Sequence, residues 1–211
     1  MSKLLGPIIF CLVFGYIFGC FSTGYLVSKA YNIDVRKYGS GNSGTTNILR
    51  TLGKKGAIIT LIGDMLKSAI PMLLVKYLIF PNMDNVPLLS LYTGLGAVLG
   101  HNFPFWQKFK GGKGIASSAG ALITLDPLAI IFGLPIFALV IIITRYVSLG
   151  SLCAAVFFPI WVAIRFPGDI HMLIVSMAFT ILAFVRHRSN IKRLINGTEN
   201  KIGQRVKIDE Q

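Results

Sequence analysis

A chain of 211 residues, 54 % of them hydrophobic and only 14 % charged, with a mean hydropathy of +0.68, carries more apolar surface than one soluble core can bury. Its formal net charge of +13 points to anionic partners; no nucleic-acid-binding signature is present, so anionic lipid and phosphate esters remain and nucleic acid drops out. Cys11, Cys20 and Cys153 all fall in apolar stretches without CxxC spacing, which excludes a cysteine framework or cysteine metal site.

In chain order, apolar runs of membrane-spanning length occupy Leu4–Val27, Ala57–Phe80, Pro87–Phe105, Pro127–Ile143 and Leu149–Phe166, with a slightly shorter one at Ile170–Val185. The first is too long for the apolar part of a signal peptide and lacks an Ala-x-Ala-like exit, so it reads as a retained span. Pro81, Pro87, Pro127 and Pro167 mark span ends. Gly114–Leu125 is a shorter stretch of small and apolar residues, which suits either a short helix or a re-entrant segment.

Charge decides between those two. If Gly114–Leu125 crosses, the segments 29–55, 107–113, 145–148 and the tail after 186 share one side. Of the 21 lysines and arginines, only Lys3, Lys76 and Arg165 then face the other side, with Lys67 inside a span. A re-entrant segment would put the basic tail outside. The expectation is therefore an all-α integral membrane protein with seven transmembrane helices, the short one at 114–125, N-terminus outside and C-terminus cytoplasmic. It forms a single polytopic membrane domain, 1–211, with three cytoplasmic motif loops at 38–50, 101–117 and 186–200.

The first loop contains Gly39, Gly41 and Gly44, which permit positive φ and let successive N–H groups turn toward one anion. Ser40, Asn42 and Arg50 add side-chain donors, and Thr45–Leu52 can open a helix facing the same point. In the second loop Gly111, Gly112 and Gly114 surround Lys113 and feed a helix whose first turn carries Ser117. Gln107 and Gly114 break the Walker pattern, so nucleotide hydrolysis is not implied. His101, beside the aromatic run Phe-Pro-Phe-Trp, suits either an interface anchor or a functional role.

The third loop follows the last span. On a helix His187 and Asn190 share a face with Arg193 or Leu194. An ordinary basic juxtamembrane helix attracted to anionic lipid accounts for the arginines and lysines but not for His187 and Glu199. Asp64 and Lys67, spaced i, i+3 inside a span, should pair, because unpaired charges there cost about 2.5 to 3.5 kcal/mol each. Arg145 to Ser151 adds Ser148 and Ser151 to the same side.

Taken together, GSGNSGTTNILR (39–50), HNFPFWQKFKGGKGIAS (101–117) and HRSNIKRLINGTEN (187–200) resemble the bacterial acyl-phosphate:glycerol-3-phosphate acyltransferase family along essentially the whole chain. The resemblance implies a multi-pass inner (plasma) membrane enzyme with its active face cytoplasmic. Its substrates would be acyl phosphate and glycerol 3-phosphate, its setting the lipid bilayer, with no cofactor and no metal. It assigns catalytic roles to Ser40, Arg50, Lys113 and His187. It gives substrate-binding roles to Gly111, Gly112 and Gly114 around Lys113 and to Asn190 and Glu199, with Ser151 a weaker match; Gly41, Asn42 and Ser117 are binding candidates from the loop chemistry above. Thr45 stands where the family often has alanine, and Ser68 where glycine often follows the lysine. Acyl-chain preference and oligomeric state have no signature in these residues. A transporter or exchanger of phosphate esters is the alternative, disfavoured because its polar groups would sit near mid-membrane and serve both sides.

Overall fold

The computed structural model describes residues 2–204 and contains ten α-helices among them. They are α1 (Ser2–Gly19), α2 (Thr23–Ala30), α3 (Thr45–Thr51), α4 (Gly53–Leu74), α5 (Val86–Asn102), α6 (Ile115–Leu125), α7 (Ala129–Thr144), α8 (Val147–Arg165), α9 (Ile170–Arg186) and α10 (Arg188–Ile195). A π turn, Val75–Ile79, extends α4. Three segments are long and apolar enough to cross a membrane: Lys3–Ala30, Gly53–Ile79 and Val147–Arg165. α9 with α10, bent by 60° between them, makes a fourth only if the pair is counted as one span, and α6 and α7 are shorter apolar helices.

The continuous first span expected at Leu4–Val27 is in fact interrupted between Gly19 and Thr23. A break in a membrane helix frees carbonyls that lipid cannot satisfy. Here side chains from distant parts of the chain take them: Trp106 Nε1–H donates to the Cys20 carbonyl at 2.8 Å and Lys67 Nζ to that of Phe21 at 3.0 Å.

α1 lies against α5 with almost no space between backbones. Gly15 and Gly19 on one helix and Gly96 and Gly100 on the other are each spaced four apart, and a Cβ at any of them would overlap the partner's main chain. This is the small-residue packing that membrane helices use in place of a hydrophobic driving force. The core continues through Met72, Leu91, Val98, Ala121 and the contact of Phe158 with Phe179. Outward faces remain apolar, as with Ile9, Val13 and Ile17 on α1 and Ile131, Ile142 and Ile143 on α7, which suits lipid.

The short helix α6 runs from the motif end of the bundle to the opposite end. Asp126, the residue just past its end, accepts from Arg165 Nε at 2.5 Å, and Arg165 closes α8, a 19-residue helix about 28 Å long. The other end of α8 carries Ser148, which bonds Glu199 of the third motif.

Candidate active site

The first motif loop is a closed turn pinned by Asn47. The Asn47 Oδ1 accepts the Ser40 N–H at 2.9 Å, and its Nδ2 faces the carbonyls of Val35, Tyr38 and Asn42 at 3.2, 3.0 and 2.9 Å. Gly39 and Gly41 take positive φ, whereas Gly44 does not. Asn42 spends its Oδ1 on the Gly44 N–H at 2.8 Å. α3 then begins at Thr45, as its sequence suggested, and carries Arg50 toward the third motif, where Nη2 donates to the Asn200 carbonyl at 3.3 Å.

The second loop folds back on the end of α5. Gly111 and Gly112 N–H groups donate to the Asn102 and His101 carbonyls, and Arg186 clamps the same two glycines, Nη2 to Gly111 at 2.7 Å and Nε to Gly112 at 2.9 Å. A Cβ at Gly112 would overlap the His101 ring, so this position admits only glycine without movement. Gly114 adopts φ +83 and opens α6. The His101 ring is held from below. Lys67 Nζ lies 2.5 Å from His101 Nδ1 and 2.9 Å from Asp64 Oδ1, confirming the i, i+3 pair. An ammonium offers only donors, so His101 Nδ1 is the acceptor and its Nε2 carries the hydrogen.

In the third motif His187 ends α9 and precedes α10. Its Nδ1 donates to the Ala183 carbonyl at 2.8 Å, which leaves Nε2 with a lone pair. Glu199 ties the group together: Oε1 accepts from Asn190 Nδ2 at 2.7 Å and Ser148 Oγ at 3.0 Å, and Oε2 from Arg193 Nε at 2.7 Å. Asn190 is thereby oriented so that its Oδ1 accepts from Lys113 Nζ at 2.6 Å. Burial of Glu199 by itself would raise its pKa, but these three hydrogen bonds outweigh it and hold the carboxyl below its ordinary value. Burial pushes Lys113 down to about 8, and burial together with the Lys113 charge takes His187 down to about 4.

A cavity of about 570 Å³ joins these parts. Ser40, Asn42, Arg50, Lys113, Gly114, Ser151, His187, Asn190 and Glu199 line one end, and Leu122, Ile130, Phe137 and Phe158 line the rest. Three motifs far apart in sequence thus share one wall. Some expected residues stand elsewhere. Ser117 is fully buried with its hydroxyl away from the cavity, and its carbonyl accepts from Ser68 Oγ at 2.7 Å toward α4; Ser118 faces the cavity instead. Gly112 is covered by His101, and Gly41 and Gly111 line a second, more polar cleft. Ser151 lines the cavity while donating to the Val147 carbonyl at 2.9 Å. Asn47 and Arg186 are the contributors that motif reading did not single out; Arg186 reaches Gly112 and Gly111 from 74 and 75 residues away, beyond any local pattern. Among the described residues no group of three His, Cys, Asp or Glu side chains is placed to hold a metal ion.

The glycerol-3-phosphate acyltransferase family model matches residues 9–197. A glycerol-3-phosphate acyltransferase of Thermoanaerobacter sp. (strain X514) is 44 % identical over 197 residues, covering 93 % of this chain and 96 % of that protein. One of Trichlorobacter lovleyi is 41 % identical over 193 residues, covering 92 % and 96 %. Among solved structures, PlsY (YgiH), an integral membrane glycerol 3-phosphate acyltransferase, in its glycerol 3-phosphate form superposes with a TM-score of 0.84 at 32 % identity. The alignment covers 93 % of this chain and 96 % of that one. The lysophosphatidic acid form gives 0.82 at 31 % identity, with the same coverage. With its motif order, the cavity the three motifs share and a match over residues 9–197 all in agreement, the chain belongs to the glycerol-3-phosphate acyltransferase family.

Proposed function

We propose that this protein transfers a fatty acyl group from acyl phosphate to the 1-hydroxyl of glycerol 3-phosphate, giving 1-acylglycerol 3-phosphate and inorganic phosphate. The observation that carries the reading is the cavity that the three motifs share, basic and polar at one end and apolar along the rest, which fits an amphiphile with a phosphate head. In the reaction the hydroxyl oxygen bonds to the acyl carbon, the bond from that carbon to the phosphate oxygen breaks, and phosphate leaves with the electron pair. Arg50 and Lys113 neutralise the phosphate charge that grows as the bond breaks, and Asn190, fixed by Glu199, keeps Lys113 aimed at it. The hydroxyl proton has two acceptors within this arrangement, the open Nε2 of His187 and an oxygen of the departing phosphate. Ser40, Gly44 and Gly114 line the cavity beside these cations, while the N–H groups of Gly111 and Gly112 are spent on the end of α5 and shape the loop rather than hold a headgroup.

The site faces the cytoplasm of a bacterial inner membrane in this reading, with seven crossings, N-terminus outside. The distribution of lysine and arginine and the passage of α6 from the motif end to Arg165 support it. Purified protein given acyl phosphate and labelled glycerol 3-phosphate should form labelled lysophosphatidate with one phosphate released per turnover, equally after chelation, and none with acyl-CoA. Absence of product, or product only after metal is restored, overturns the reading. Orientation is checked in a background without Cys11, Cys20 and Cys153: Asn82→Cys should react with an impermeant thiol reagent in intact cells, and Lys54→Cys and Gln204→Cys should not.

A further inference from the structure

The apolar part of the cavity ends against the hydrophobic core. On α8 its lining runs from Ser148 to Phe158, about 15 Å along the helix, and the buried Trp161 and Val162 beyond no longer border it. Leu122, Ala129, Phe157, Phe158 and Phe179 line this deep end and all belong to the buried core, whereas Ala154, nearer the motifs, is only partly buried. The wall is held from several sides. Pro159 has no N–H for the Ala155 carbonyl, so Thr180 Oγ1 of α9 donates to it instead, at 2.6 Å. Phe158 lies against Phe179 of the same helix, ring centroids 4.7 Å apart. Phe157 is backed by Trp161 at 5.6 Å, and Trp161 in turn by Phe132 of α7 at 5.2 Å. Opposite the ring α7 presents Gly133, where a Cβ would come within 3.0 Å of Phe157 Cε1. Glycine inside a helix is less stable than alanine, so α7 gives up stability at a position where the ring needs the space.

We propose that Phe157, wedged between Trp161 and Gly133, closes the deep end of the acyl cavity and sets the length of the chain that is transferred. The assignment rests on the acyl-transfer reading above and adds the residue that selects among acyl donors. Before binding, the chain already lies among lipid tails as apolar as the cavity walls, so burying it there contributes little. Fit decides instead. A chain that stops short of Phe157 leaves space unfilled, and one that reaches past it must fold back or displace a ring that its neighbours hold in place. The rate should therefore pass through a maximum with chain length rather than rise steadily.

Saturated acyl phosphates from decanoyl to eicosanoyl, presented in mixed micelles at fixed mole fraction, test this through ratios measured within one variant, which loss of folded protein does not change. In Phe157→Ala the ratio of kcat/KM for octadecanoyl to that for tetradecanoyl phosphate should rise at least about tenfold over wild type. In Ala154→Leu, which fills the cavity nearer the motifs, it should fall at least about tenfold. Ile164→Ala, on the same helix but exposed and outside the cavity, should leave it within about twofold. Binding is read without turnover from the thermal midpoint in detergent with alkyl phosphates of the same lengths, which carry no carbonyl to attack. The length giving the largest rise should move up in Phe157→Ala and down in Ala154→Leu. Transfer with the same length profile in wild type and both variants, or a shift in the same direction in both, would overturn the role of Phe157 and leave the reaction standing. A protein whose midpoint profile moves as stated yet transfers no chain of any length would overturn the reaction and leave the assignment of Phe157 standing.

Discussion

Asp64, Lys67 and His101 form one charged group beside the cavity, and Lys113, Asn190 and Glu199 form another. Each contains a lysine against a carboxylate or amide, and both line the same space or touch it. They differ in what is left over. The Lys67 ammonium is engaged on three sides: it donates to His101 Nδ1 and the Phe21 carbonyl and is ion-paired with Asp64. Lys113 has one partner among the described residues, Asn190 Oδ1, and Arg50 has one long contact to a backbone carbonyl. Burial alone does not separate a structural cation from a working one; the count of unspent donors does. The first group closes a break in α1–α2 and props the His101 ring under Gly112, whereas the second keeps valences for a ligand.

The largest effect should come from breaking the closed group. Lys67→Met leaves Asp64 buried without its cation, which typically costs about 3 to 5 kcal/mol. The thermal midpoint in detergent should fall sharply, and Asp64→Asn in the same chain should restore part of it. Activity lost at an unchanged midpoint would mean that this group works chemically and would erase the contrast. Next come the open cations. Arg50→Ala and Lys113→Ala each remove a contact to a desolvated phosphate, on the order of 2 to 5 kcal/mol, so kcat/KM should drop tens-fold to thousands-fold while the midpoint stays put. Lys55→Ala, exposed and away from both spaces, should cost under about 1 kcal/mol. Equal losses in all three would reduce the site to general positive charge.

The joint between the groups is Gly112. A methyl group there meets the His101 ring, which Lys67 prevents from moving freely, so Gly112→Ala should strain the loop by about 1 to 3 kcal/mol. That corresponds to a fall in kcat/KM of roughly five- to 150-fold with Lys113 still present. His101→Ala combined with it should recover activity relative to Gly112→Ala alone. If the double variant is no better, His101 is not what the glycine avoids.

Much of this was legible in the sequence because its signals are local. Apolar runs mark α4, α5, α7, α8 and α9, the glycines before Ile115 mark the start of α6, and Gly44 before Thr45 marks α3. The spacing of His187 and Asn190 places both on the cavity side of the α9–α10 bend. What escaped depends on contacts between distant residues. The break after Gly19 lies within an unbroken apolar run, and only Lys67 and Trp106, brought in by other helices, make it tolerable. Ser117 looked like a ligand from its place on the first turn of α6, but that side packs against α4, where Ser68 bonds the Ser117 carbonyl and the Ser117 hydroxyl is fully buried.

The smallest effect expected concerns pH and separates Lys113 from every fully charged neighbour. Burial lowers its pKa to about 8, with Glu199 opposing and Arg193, Arg50 and Arg186 adding to the shift, so the ammonium is present below about 8 and lost above it. His187, lowered to about 4, is neutral over that whole range and its Nε2 stays open. With one essential proton on Lys113, kcat/KM should hold a plateau near neutrality and decline with unit slope above about 8, by about tenfold at pH 9. On the acid side the second ionisation of the substrate phosphates, near pH 6, also contributes, so the alkaline limb is the diagnostic one. Bound phosphate adds negative charge beside Lys113 and raises its pKa, and the decline in kcat should therefore begin at a higher pH than that in kcat/KM. Lys113→Arg keeps a cation at every accessible pH and should abolish the alkaline limb even if its longer, forked head lowers the plateau. An unchanged limb in that variant would assign the titration to another group and remove Lys113 from the open set on which the comparison rests.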